Sequence, residues 1–242
     1  MTRITYLAFL LAVALPMRQA HAWNDAGHRI VARIAWEVMS PAARARAVTA
    51  LKAHPRFQRD FAERMPVKLK RGPQERQGLW IFLHAAGWPD LVRGFRGQMS
   101  KRFHRATWHY INRPLFLSND ARRLLEPRLK VNLSTVVPPA ASMATQELNV
   151  IQAITLCRTR LAARDTDNAE RAVCVTWLCH MVGDVHQPCH STASFTAKRF
   201  PLGDRGGNDV PIQGRKKAIN LHMYWDGQFG GGRSLSGDPV RR

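Results

Sequence analysis

A chain of 242 residues holds one well-cored domain, and its 37 Lys and Arg against 17 Asp and Glu give a formal charge of +20. Past residue 22 no stretch is long and apolar enough to span a membrane, which excludes a membrane-inserted mature chain. The excess charge favours a polyanionic partner (nucleic acid, an acidic membrane surface or an acidic polysaccharide) without choosing among them.

The chain opens with MTRITYLAFLLAVALPMRQAHA. Arg3 supplies a positive start, Ile4 to Leu15 an apolar core too short for a membrane span, and Ala20-His21-Ala22 a small-residue cleavage site. Residues 1–22 therefore read as a signal peptide, and the protein as secreted or periplasmic. The mature chain is expected to begin at Trp23 as a single domain over residues 23–242. Losing Arg3 and Arg18 leaves 35 basic against 17 acidic side chains, a charge of +18.

Helical patterns dominate the rest of the chain. Cap-type Asn24 and Asp25 precede Ile30, Ile34 and Val38 at helical spacing, predicting a helix over NDAGHRIVARIAWEVM. Ser40 as a cap and Pro41 at the first helical position predict a second over residues 40–53, and a third is expected from Gln74 to Ala86. The connections at 54–74 and 94–107 are basic, with Arg64, Lys68 and Lys70 in the first and Arg96, Lys101 and Arg102 in the second. They are candidate phosphate-contacting edges of a groove, or simply solvated loops. Residues 138–163 and 168–186 read as a long antiparallel helix pair broken at 164–167. Strand-like alternation is scarce and there are no repeats, so the fold class is all-α.

The most informative stretch is WLCHMVGDVHQPCH, Trp177 to His190. His180 and Asp184 are four apart and share one face of a helix. Pro188 should end that helix and leave His190 on the turn beyond. Two ligand-type side chains on one face and a third past the stop suit a metal site; a buried helix whose histidines only hydrogen-bond is the alternative. Cys189 has ligand spacing too. Four cysteines permit disulfides without dictating them: Cys174 and Cys179 are too far apart on one helix, and a partner for Cys157 would lie on the following helix.

Further ligand-type residues recur beside tryptophan or glycine: His28 in WNDAGH, Asp90 in AAGWPDLVR, His109 in WHYINRP, and His222 with Asp226 at i, i+4 in NLHMYWD. Histidine and carboxylate without a four-cysteine pattern suit zinc at a catalytic site with an open position. Taken in order, WNDAGH, WPDLVR, WHYINRP, LCHMVGDVHQPCH, GDRGGND and NLHMYWD resemble the zinc-dependent single-strand-specific nucleases of the S-one/P-one type, relatives of the zinc-dependent phospholipases C.

The resemblance implies a mostly helical domain holding three Zn2+ in a cleft. The first would take Asp90, His109, His180 and Asp184, and the second His190, His222 and Asp226. The third would take His28, a bridging Asp184, and the α-amine and carbonyl of Trp23, so that removal of the signal peptide completes the site. Arg93 would steady the phosphate beside Asp90, Tyr110 would stack on a base and Asn112 would contact it; Asn112 stands where the family usually carries Asp. The implied activity is an endonuclease on single-stranded DNA and RNA. Zinc-activated water would leave 5′-phosphorylated products, and nucleotides with a 3′-phosphate would be further substrates. Asn208 and Asp209 in the glycine-rich turn, and His186, are expected to orient their neighbours.

After Asp226 sixteen residues remain, Gly-rich and polar, where family members continue through further helices. The expectation is therefore a C-terminally short domain with those helices missing. Competing functions are a zinc-dependent phospholipase C, disfavoured by the charge and by Asp226 where the lipases carry Glu, and an inactive homologue that binds nucleic acid through charge alone. No stable membrane insertion and no obligate protein partner are implied.

Overall fold

The computed structural model describes residues 23–214 and 218–230, so the expected signal peptide and the last twelve residues lie outside the described part. Ten helices carry the fold among these residues: α1 Asp25–Val38, α2 Pro41–Lys52, α3 Val67–Lys70, α4 Gln74–Val92, α5 Gly97–Phe103, α6 Asn119–Leu125, α7 Val150–Ala162, α8 Asn168–Asp184, α9 Pro188–Ser191 and α10 Leu221–Asp226. Two small sheets join them. β1 (Arg113–Phe116) runs parallel to β2 (Thr192–Phe195), and β3 (Pro211–Gln213) pairs antiparallel with β4 (Ala218–Asn220). The fold is all-α in class, and no helix among the described residues is long and apolar enough to cross a membrane.

The helix boundaries follow local chemistry. Asn24 and Ser40 cap α1 and α2, accepting from Gly27 N and Ala43 N. Asp167 caps α8 by accepting from Glu170 N, in the predicted break. The third predicted helix runs six residues further than expected, to Val92. Gly87 and Pro89 argue for an earlier stop, but Trp88, Pro89 and Val92 are buried, and tertiary packing outweighs a weak local preference. Gly87 lies against the Asp25 carboxylate of α1, where a Cβ would come within 2.4 Å of Oδ1 and displace that side chain.

Two further boundaries differ from expectation. Residues 138–149 are not helical, because Asn149 and Gln152 form a reciprocal capping box that starts α7 at Val150. The same amides hold the preceding loop: Asn149 Nδ2 donates to Asn132 O and Ser134 O, and Gln152 Nε2 to Val136 O. Nor does Pro188 end the long helix. α8 stops at Asp184, and Pro188 begins α9, the position where a missing N–H costs nothing.

α8 is the axis of the domain, packed against α1, α2, α4 and α7. Its buried residues, from Ala172 and Cys174 through Trp177 and His180 to Asp184, cover a wide arc of the helix, while Val182 on the opposite side is exposed. One apolar core, built around Trp36, Trp80, Phe82, Trp88 and Phe103, lies on its α1–α4 side, and a second, around Trp108, Leu148, Leu156, Trp177 and Met181, on its α7 side. The four cysteines are free; Cys157 of α7 and Cys174 of α8 both lie in the second core, and Cys174 Sγ meets Met143 Sδ at 3.5 Å.

The first core encloses a polar knot. Asp60 is buried and takes two bonds from Arg56, Nε to Oδ2 at 2.5 Å and Nη2 to Oδ1 at 2.8 Å, with a third from Trp88 Nε1 at 3.0 Å. His84 Nε2 donates to Asp60 O at 2.8 Å. Burial would raise the Asp60 carboxyl, but the bonds from Arg56 and Trp88 outweigh it and hold the group below its ordinary range. Asp60→Ala leaves Arg56 and the Trp88 indole without their acceptor. The protein should lose about 3 kcal/mol of stability, read as a lowered denaturant midpoint.

Candidate metal centre

Six elements bring the ligand-type residues together beside the C-terminal half of α8. α8 itself supplies His180 and Asp184 on one face, both fully buried. His28 comes from α1, Asp90 from the last turn of α4, and His109 from the 3-10 turn Ala106–His109. α9 supplies His190 as its third residue, and α10, capped by Asn220 accepting from Met223 N, supplies His222 and Asp226.

These residues form three groups whose ligand atoms converge: His28 with Asp90 and His180; His109 with His180 and Asp184; His190 with His222 and Asp226. In the second group His180 Nε2 lies 2.9 Å from His109 Nδ1, and Asp184 Oδ2 lies 3.1 Å from both. Asp184 Oδ1 points the other way, 3.5 Å from His28 Nε2 and 3.8 Å from His190 Nδ1. His28 Nε2 is 3.8 Å from Asp90 Oδ2, and its ring stacks on His180 at 3.8 Å. His28 thus converges with Asp90 and His180 as well as with Asp184, where the resemblance pairs it with Asp184 and Trp23.

The hydrogen bonds fix the tautomers. Nδ1 of His180 meets Ala86 O at 2.7 Å, Nδ1 of His190 meets His109 O at 2.5 Å, and Nδ1 of His222 meets Gly206 O at 2.7 Å. A carbonyl only accepts, so each Nδ1 carries a proton; the rings of His190 and His222 then turn a lone pair out at Nε2, while for His180 burial is outweighed by Asp184 and Asp90, which raise it. His190 Nε2 and His222 Nε2 nevertheless face each other at 3.0 Å. Two lone pairs at that distance repel unless a cation lies between them. Protonating one ring does not relieve this at neutral pH. Burial lowers His190, and burial together with the neighbouring His190 lowers His222 to about 4.

Buried atoms without a hydrogen bond among the described residues point the same way: both ring nitrogens of His28, Nε2 of His109 and Oδ1 of Asp184. Edges of 2.9–3.1 Å in the Asp184 triangle are close to the roughly 3.3 Å separating ligand atoms on a tetrahedral ion with bonds of about 2.0–2.1 Å. The donor set fits zinc. Burial lowers His28 to about 3 and His109 to about 4, so these rings are neutral and ready to ligate at pH 7. Asp184 is held well below the carboxylate range: burial acts to raise it, but His180 and His190 outweigh that. Asp226 is pushed up to about 9, first by burial and then by Asp90 and Asp184, against a bond from Gln187.

Residues invisible as site residues in the sequence hold this arrangement. Gln187 donates Nε2 to Asp226 Oδ1 at 2.8 Å and accepts from Cys189 N. Gly183 lets α1 approach α8, since a Cβ there would lie 2.8 Å from His28 Nδ1. Gly206, at φ 61°, passes where a Cβ would meet Cys189 O at 2.1 Å. A glycine inside an otherwise apolar helix was the available signal for Gly183, and the glycine-rich turn GDRGGND the signal for Gly206; Gln187 carried none. Cys189 is buried and belongs to none of the three groups, and His186 bonds Val182 O. Asn208 donates to Arg205 O and lies 3.2 Å from His222 Nδ1.

The predicted substrate residues flank the cluster. A cavity of ≈ 640 Å³ opens over it, lined by Arg93, Tyr110, Asn112, His190, Arg205 and His222 among others. Arg93 Nη1 bonds Asp90 Oδ1 at 3.1 Å, while its buried Nε has no partner among the described residues. Tyr110 is partly exposed. Trp23 is buried with its ring against Phe229 at 4.6 Å, and the following residue, Asn24, donates its N–H to Asp226 O at 3.1 Å. The start of the described chain is therefore tied to the helix that carries two of the ligand-type residues.

Comparison with known proteins agrees with this geometry. A family model described as S1/P1 Nuclease matches residues 23–234. The chain is 25% identical over 206 residues to Endonuclease 2 of Arabidopsis thaliana, covering 85% of this chain and 55% of that protein. It is 40% identical over 50 residues to Endonuclease 4 of the same plant, 21% of this chain and 14% of that one. The chain thus spans about half the length, or less, of the curated relatives it matches.

A carboxyl raised to about 9 is protonated at pH 7, so a metal ion must displace that proton from Asp226. Metal affinity should therefore rise with pH from about 6 toward 9. Uptake at pH 7 should release protons, measured with an indicator dye in weak buffer. Asp226→Asn should lower the release by about one proton per chain and weaken binding; affinity indifferent to pH would contradict this account.

Proposed function

Because the chain belongs to the S1/P1 nuclease family, we propose that it is a zinc-dependent endonuclease hydrolysing phosphodiester bonds of single-stranded DNA and RNA to 5′-phosphorylated products, with 3′-nucleotidase activity on the same site. The observation that carries this reading is the pair of buried Nε2 lone pairs on His190 and His222, facing each other at 3.0 Å beside an open, arginine-lined cavity. Zinc ions held by the three groups would supply Lewis acidity toward phosphate oxygens and acidify water at neutral pH.

The chain's own residues supply the rest. Asp90 would bind metal and, through its 3.1 Å contact, orient Arg93. Arg93 would use its unsatisfied Nε on a phosphate oxygen, where a guanidinium fork gains strength as charge builds. Tyr110 offers a half-open aromatic face on which any base stacks, and Asn112 an amide that both donates and accepts toward base edges. The charge of +18 left after loss of residues 1–22 would raise the local concentration of a polyanionic strand. Export as a secreted or periplasmic protein remains part of the proposal. It rests on residues 1–22, whose removal would free the Trp23 amine for the third zinc with His28 and Asp184. The ligand set Asp90, His109, His180, Asp184 for one zinc and His190, His222, Asp226 for another belongs to the same proposal.

Protein beginning at Trp23 should release acid-soluble nucleotides from denatured DNA. Release should stop with chelator and return when zinc is restored; hydrolysis of phosphatidylcholine without cleavage of DNA would reverse the assignment. Arg93→Ala should lower turnover by about 100-fold, the scale of one lost transition-state donor, with zinc content by elemental analysis unchanged. One extra residue before Trp23 should cost a zinc ion and most of the activity, because an amide nitrogen cannot replace the amine.

A further inference from the structure

The glycine-rich turn after β2 has one member that the metal cluster does not explain. Gly203, Gly206 and Gly207 have φ of 88°, 61° and 77°, the left-handed region open to glycine. Arg205 stands among them at φ 54°, the one non-glycine residue with positive φ among those described. A residue with a Cβ resists that conformation, and for a long side chain it marks a site worth explaining.

The turn cannot shift to relieve it. Asp204 is buried and ties the turn to β2, its Oδ1 accepting from Ser194 N and its N–H donating to Ser194 O, both at 3.0 Å. Gly206 is pressed against Cys189 O, and its carbonyl holds the Nδ1 proton of His222. The backbone at 205 is thus dictated by the ligand turn on one side and the strand on the other. Glycine would serve it best, yet the chain places a guanidinium there.

That guanidinium lines the same cavity as Arg93, from a different element and in a different state. Arg93 is 14% exposed and bonded to Asp90 of the cluster. Arg205 is 61% exposed, and its ion-pair partner, Asp209, belongs to no ligand group and lies 3.5 Å away. An exposed pair at that distance is weak, and a phosphate that takes two parallel N–H bonds competes with it well. Arg93 is thus tied to the metal cluster through Asp90, whereas Arg205 reaches the same cavity without a bond to any side chain of the ligand groups.

Resting on the nuclease reading above, we propose that Arg205 is a second phosphate-binding residue, which holds a phosphodiester neighbouring the one at the metal cluster and favours a polynucleotide over a substrate with a single phosphodiester. The test compares zinc-loaded wild type, Arg205→Ala and Arg205→Gly on a short oligothymidylate and on the dinucleotide dTpdT. Either variant should raise KM for the oligonucleotide about 5- to 20-fold, as loss of a charge-assisted pair predicts, with kcat within about twofold. For dTpdT, kcat/KM should stay within about twofold of wild type. Glycine fits the left-handed backbone, so Arg205→Gly should unfold at a temperature no lower than wild type, which separates a lost contact from a misfolded turn.

Equal losses on both substrates, or none on either, would overturn the proposal. If wild type cuts neither, the nuclease reading fails, and fluorescence anisotropy with labelled oligothymidylate still decides the role of Arg205. Binding should weaken several-fold in the variants, with the slope of log K on log salt shallower by about 0.7; unchanged binding would dismiss Arg205 as a phosphate ligand.

Discussion

The structure depends on one electrostatic constraint: imidazole lone pairs and carboxylates converge in a largely buried cluster that opens to solvent on one side only. His28, His109, His180, His190 and Asp184 are buried almost completely, and their ligand atoms approach one another rather than hydrogen-bond donors. Without a cation such a cluster costs both desolvation and mutual repulsion. With one, the same atoms become a coordination set, and the cluster changes from a liability to a fastening between six elements. Metal binding and the final packing of α1, α4, α8, α9 and α10 are then one process.

Everything around the cluster serves to aim it. Three histidines give their Nδ1 protons to backbone carbonyls at Ala86, His109 and Gly206, which fixes both ring orientation and the free nitrogen. The carbonyl of Ala86 lies three residues before Pro89, in the turn of α4 that leads to Asp90. Gly183 and Gly206 supply close approaches that any side chain would block. Apolar cores on both sides of α8 keep the dielectric low, and edge contacts such as His109 against Trp177 at 5.3 Å hold the rings in place.

The open side of the cluster is where substrate chemistry belongs. Arg93, Tyr110, Asn112 and Arg205 reach one cavity from the end of α4, the segment after the 3-10 turn and the glycine-rich turn. Their types suit an anionic, aromatic-bearing strand: guanidinium for phosphate, phenol for a base face, amide for a base edge. The asymmetry between a half-buried arginine tied to the cluster and an exposed one on a constrained turn is what a site reading more than one phosphate would need.

Much of this was legible in the chain itself. His180 and Asp184, and His222 and Asp226, announce a shared helical face because four residues make just over one turn, and Ser40 and Asn24 announce helix starts because their side chains satisfy orphan amides. The ordered motifs also point to the family on their own. What the chain could not show were relations between segments far apart in sequence. Pro188 reads locally as a stop, yet it starts a helix. Residues 138–149 read as helix, yet Asn149 and Gln152 spend their amides holding them as a loop. Which histidine nitrogen is free, which carboxylate oxygen lies between two groups, and which arginine stands over the cavity depend on carbonyls and glycines tens of residues away. Periodicity and capping act within a turn and are written in local sequence, whereas coordination is a three-dimensional sum of short-range contacts that exists only once the helices have packed.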